Sequence, residues 1–157
     1  MKVKALVVIA AFASSSALAE DKLLVQSPAV LDANAGVGDA IKRECALEST
    51  TTSWVMDALA GKGQRLEGTK NVEGGKVLKL TIVNVIGASG GAWSGPKTMT
   101  VRAELVESGK VVATTTKTRS SSGGAFGGYK STCAIFGRVM KTLGSDIAGW
   151  VRAEMKH

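Results

Sequence analysis

The sequence predicts an α+β fold: a two-layer sandwich whose mostly antiparallel sheet of four to five strands carries two helices on one face. Three observations lead there. The segments 41–60 and 131–151 space their apolar side chains three or four apart, which makes one buried stripe on a helix. Segments between them alternate apolar and polar residues, as half-buried strands do. The order is therefore strand, helix, run of strands, helix, and laying both helical stripes on one sheet face buries every apolar surface together.

Taken in order, residues 23–30 are an apolar run broken by Pro28 and read as a first strand. Residues 32–38 form a loop of small residues. Asp39 is placed to cap the next helix, because its carboxylate can accept from the free N–H groups of the first turn. Leu47, Thr51, Trp54, Val55, Ala58 and Leu59 make that helix's stripe, and Gly61-Lys62-Gly63 ends it. A strand over 65–72 and a turn at Gly74-Gly75 follow. The strand over 77–86 sets Leu78, Leu80 and Ile82 on one face and Lys79 and Thr81 on the other. The strand over 98–106 points Met99, Val101, Ala103 and Leu105 inward and Thr98, Thr100, Arg102 and Glu104 outward. Glu107-Ser108-Gly109-Lys110 is a tight hairpin turn, and the returning strand over 111–118 is rich in β-branched threonine. A Gly/Ser-rich stretch over 120–128 leads to the last helix, with Ser131 or Thr132 as its cap. Phe136, Met140, Leu143, Ile147, Trp150 and Val151 form its stripe. Gly137 and Gly144 each cost about 1 kcal/mol of helix propensity, which points to close packing against a neighbour.

The first 19 residues read as a secretory signal peptide. Lys2 and Lys4 supply the positive start, residues 5–13 the apolar core, and Ala17-Leu18-Ala19 the cleavage site, so that the mature chain begins at Glu20. The apolar run is too short for a membrane anchor, which needs roughly 20 residues, and no later stretch qualifies. Residues 20–157 fit one domain with its own core. The expected location is the periplasm or the exterior. The formal charge of +7 includes the two leader lysines. The excess suits an envelope protein or an anionic envelope component such as lipid or polysaccharide as partner, as it suits simple solubility. An exported chain rarely meets nucleic acid, so none is expected. Nothing in the sequence specifies an oligomeric state.

The pieces Gly87-Ala88-Ser89-Gly90-Gly91, the strand over 99–105, Ser108-Gly109-Lys110, Gly123-Gly124 and a helix ending Gly149-Trp150-Val151 come in a recognisable order. In this the chain resembles an uncharacterised domain family of small bacterial envelope proteins, many of them lipoproteins. It is more loosely similar in layout to the lipoprotein activators of penicillin-binding proteins. The likeness covers about the last half of the chain. It implies the fold and an envelope setting and brings no catalytic residues. The lipid-bearing cysteine is absent, since Glu20 stands at that position.

Composition removes most catalytic chemistry. The single histidine is His157, the last residue, so Ser-His-Asp and Cys-His catalysis and histidine-based zinc sites are not expected. No phosphate-binding or nucleophile-elbow motif occurs. The glycine run at 87–91 leads to a strand, not to a helix N-terminus that would hold an anion. No cofactor and no metal are expected. The carboxylates Glu104 and Glu107, or Asp32 and Asp39, would be needed for a cell-wall hydrolase, which requires a set separation inside a cleft.

Two features remain. Strand order brings the glycine-rich loops at 87–95 and 120–128 to one end of the sheet, beside the start of the last helix. There Trp93, Phe126 and Tyr129, with Lys97, Arg119 and Lys130 at the loop bases, form the expected binding surface. The second feature is the cysteine pair. In an oxidising compartment Cys45 and Cys133 are expected to bond, closing a loop of roughly ninety residues and adding about 4–5 kcal/mol. A simple meander of all the strands would make the helices antiparallel and hold these two α-carbons far beyond the roughly 7 Å that a disulfide spans. We favour the bond, which makes the strand over 65–72 the suspect element.

Overall fold

The computed structural model describes residues 22–61 and 66–156. The leader, Glu20, the Lys62-Gly63 helix stop, the start of the strand expected over 65–72, and His157 lie outside the described residues. The fold is α+β, with the expected helix-covered sheet in altered form. Among the described residues the sheet has six strands and is mixed, and there are three α-helices. In chain order these are β1 (Leu23–Gln26), β2 (Val30–Leu31), α1 (Asp39–Cys45), α2 (Leu47–Ala60), β3 (Glu67–Thr69), β4 (Lys76–Ile86), β5 (Lys97–Glu107), β6 (Lys110–Ser121) and α3 (Thr132–Glu154).

The antiparallel half follows the alternation. β4 pairs with β5 and β5 with β6, with Leu80 opposite Ala103 and Thr100 opposite Thr118. Met99, Val101, Ala103 and Leu105 are buried. The hairpin turns on Ser108 and Gly109, both at positive φ (49° and 78°), the backbone sign that suits the right-handed twist of the flanking strands. The helix-free face carries a threonine ladder: Thr98 bonds Ser120 at 2.7 Å and Thr100 bonds Thr118 at 2.9 Å.

The other half corrects the meander. The expected first strand is two pieces, β1 and β2, on either side of a cis Ser27–Pro28 peptide, both running along β4 in parallel. β3 is real but short, and it pairs with β1 in parallel on the side away from β4. Helix α2 is thus a crossover between parallel strands, a connection that a two-residue hairpin cannot make. It therefore leaves from the same end of the sheet as α3. Contacts from the end of α1 and along α2 advance together with α3: Cys45 with Cys133, Trp54 with Lys141 and Gly144, the Ala58 carbonyl with Arg152. α2 and α3 run parallel, and the cysteine α-carbons are 5.0 Å apart across the bond. The suspect element was the ordering of the strand, not its existence.

The expected helix over 41–60 is also divided. Ala46 adopts a left-handed conformation (φ 41°), ending α1 and starting α2. Cys45 is consequently the last residue of α1. Gly38 precedes the helix as its N-cap and Asp39 sits inside the first turn without a capping bond, so the expected cap is displaced by one residue. At α3 the cap is as expected, with the Ser131 hydroxyl accepting from the Ala134 N–H. Gly144 is the close-packing point: a Cβ there would lie 2.7 Å from the Trp54 carbonyl oxygen. Gly137 meets nothing and has no such role. Leu47 and Val55 from α2, and Phe136, Met140, Leu143, Ile147 and Val151 from α3, close the core over β4 and β5. Among the described residues no helix is long and apolar enough to cross a membrane.

Candidate functional site

The two glycine-rich loops do meet, at the end of the sheet where Ile86, Lys97 and Ser121 lie. Each carries a single turn of 3-10 helix, Gly91–Ser94 and Gly127–Tyr129. They close on one another at Ala92 and Gly127, and a Cβ on Gly128 would sit 4.0 Å from the Trp93 ring. The first turn is fastened to α3, because the Gly91 N–H donates to the Thr132 hydroxyl at 2.9 Å. Only glycine fits there: φ is 61°, and a Cβ would stand 2.5 Å from the Lys130 carbonyl oxygen.

The three aromatics project outward. Trp93 is 89% exposed, Phe126 84% and Tyr129 94%. None folds back to cap the core. Phe126 also has a left-handed backbone (φ 60°), which costs an L-residue roughly 1–2 kcal/mol. An exposed apolar ring on a strained backbone contributes nothing to the core, and strain of this kind collects at functional positions.

The basic residues behave differently from the sequence expectation. Lys97 is fully buried (0% exposed), so it has no surface to offer a partner. Its ammonium donates to the Ser94 hydroxyl at 2.8 Å and the Gly95 carbonyl at 2.9 Å. The aliphatic stem of a lysine packs like an apolar chain, and here it runs under Gly87 beside Phe136. Lys130 donates to the Gly123 carbonyl at 2.8 Å. Arg119 is on β6, ion-paired to Asp146 of α3 at 2.7 Å. The hydrogen bond to that carboxylate, then its charge, raises the already high guanidinium pKa. Lys97 and Lys130 are therefore engaged within the fold, while Arg119 stays exposed on β6 in a surface ion pair, so the expected mixed rim is an aromatic tip with its two lysines held to the loops.

Arg138 was not expected and belongs to the same fastening. Its guanidinium donates to the Gly123 carbonyl at 3.0 Å, sharing that acceptor with Lys130, and it covers Gly124. No local motif marks it. It reaches Gly123 only because the loop before α3 folds back along the helix.

The hydrolase carboxylates stand in ordinary surface roles. Glu104 pairs with Lys79 at 3.6 Å and Glu107 with Lys76 at 2.8 Å. Asp32 accepts from the Asn34 N–H within its own turn, and Asp39 is in the first turn of α1.

No family model matches the sequence, and no curated protein does. Among solved structures, a Xanthomonas campestris protein of the DUF330 family superposes with a TM-score of 0.52 at 13% identity, over 87% of this chain and 88% of that one. A PelC dodecamer from Paraburkholderia phytofirmans gives 0.49 at 17% identity, over 80% and 86%. A minor lipoprotein from Acinetobacter baumannii gives 0.43 at 14%, over 86% and 94%. The first of these likenesses is one of fold.

Proposed function

We propose that this is an exported accessory protein of the bacterial envelope, without catalytic apparatus, which docks through the tip formed by Trp93, Phe126 and Tyr129. The observation that carries the reading is the exposure of all three rings on adjoining loops that the fold holds in place. The leader with its cleavage site and the bonded cysteine pair support an oxidising compartment, the periplasm or the exterior. The sequence leaves the partner as an envelope protein or an anionic component of the envelope.

The burial of Lys97, the bonding of Lys130 to a loop carbonyl and the pairing of Arg119 with Asp146 change the character of the contact. It is apolar, and salt should weaken it little, because screening acts on exposed charges. Replacing Trp93, Phe126 and Tyr129 together by serine is expected to abolish recovery of any bound envelope component from extract, with the fold intact by circular dichroism. Undiminished recovery would remove the tip from the account.

A further inference from the structure

We infer that the tip docks on a phospholipid bilayer, seating Trp93, Phe126 and Tyr129 in its interfacial zone. This rests on the reading of the tip as the docking end and narrows what it meets. Residues 87–96 and 122–129 contain no Asp, Glu, Lys or Arg. Of the cations at their bases, Lys97 is bonded to Gly95, Lys130 and Arg138 to Gly123, and the exposed Arg119 is neutralised by Asp146. What faces outward is glycine, alanine, serine, Pro96 and three aromatic rings. Tryptophan and tyrosine combine an apolar body with one polar atom, which is why such rings collect where hydrocarbon meets headgroups. Phenylalanine, held out on its left-handed backbone, supplies a wholly apolar probe.

The composition argues against two other occupants. A glycan needs several side chains that bond its hydroxyls; apart from serines these loops offer only the Trp93 ring N–H and the Tyr129 hydroxyl. The Ser94 hydroxyl is already held, 2.9 Å from the Ala88 and Gly91 carbonyls and accepting from Lys97. A protein interface of standard size carries a polar rim with about ten hydrogen bonds, and the few polar side chains of these loops favour a bilayer over such a rim. A bilayer interface asks only for buried ring area and rigid presentation. The fold provides the second through the Gly91–Thr132 bond and the Gly123 acceptor.

Sedimentation with phosphatidylcholine vesicles tests this directly. The mature protein should bind zwitterionic vesicles with little change between low and high salt. Trp93→Ser, Phe126→Gly and Tyr129→Ser should each reduce partitioning on the order of tenfold. Phe126→Gly suits the existing backbone sign, and all three rings are exposed, so folding should survive; circular dichroism checks it. No sedimentation at millimolar lipid would overturn the inference. So would binding that needs phosphatidylglycerol and vanishes in salt, since that assigns the contact to the basic body of the protein. If vesicles fail while recovery from envelope extract still depends on the three rings, the bilayer is wrong and the docking tip stands, with a protein as its partner. If neither depends on them, both readings fall.

Discussion

The double variant Cys45→Ser/Cys133→Ser should lose about 4–5 kcal/mol of folding stability. The bond joins residues 88 positions apart, so it restricts nearly the whole strand-rich part of the unfolded chain. A domain of this size is commonly stable by about 5–15 kcal/mol, so the loss would leave a marginal protein. Urea unfolding of the variant and of the reduced native protein should give the same lowered midpoint. A shift below about 1 kcal/mol would mean that packing of α1 against α3 alone holds the two helix ends together. The effect should reach the site as well, because Cys133 is next to Thr132, which holds the Trp93 turn.

Phe136→Ala should cost about 3–5 kcal/mol, the range for truncating a fully buried aromatic. Phe136 is 0% exposed, and its ring tip lies under Gly87 alongside the Lys97 stem. The cavity would therefore open directly beneath the tip. Chemical denaturation should show the loss, and amide exchange over residues 87–95 should rise by more than over β5. A small loss with unchanged exchange would show that the tip is held independently of the core below it.

These two effects mark what could and could not be read from the chain. Alternation identified β4 and β5 and their inward residues because a strand's faces are written in its own sequence, and β-branched threonines after a tight turn identified β6. The Ser131 cap and the stripe of α3 are local for the same reason. Pairing is not local. The three residues of β3 and the broken β1 and β2 look alike whether they join a meander or flank each other in parallel. The cysteine pair was the one sequence signal that carried long-range information. The fold needed to bring Cys45 to Cys133 is the parallel crossover that is present. The division at Ala46 was hidden too, since alanine favours helix and only the bend that buries Cys45 explains its left-handed backbone.

The meeting of the two glycine-rich loops was legible in the sequence, and the turn of their lysines was not. Counting strand reversals brought Trp93, Phe126 and Tyr129 together correctly. The lysines looked like a rim because a sequence places a residue at a loop base without saying which way its side chain turns. Loops of glycine leave many carbonyls without secondary-structure partners, and buried or half-buried carbonyls need donors. Lys97, Lys130 and Arg138 meet that need.

β1 begins at Leu23 beside Lys76, which pairs with Glu107, whereas the aromatic tip closes the opposite end of the sheet. That separation permits the most direct test of the docking tip. A photo-crosslinking side chain placed at position 93, 126 or 129, and separately at the exposed Val112 near the hairpin, can be activated in living cells. The account predicts adducts, to protein or to lipid, from the three tip positions and none from Val112. Adducts from the hairpin end with none from the tip would contradict it.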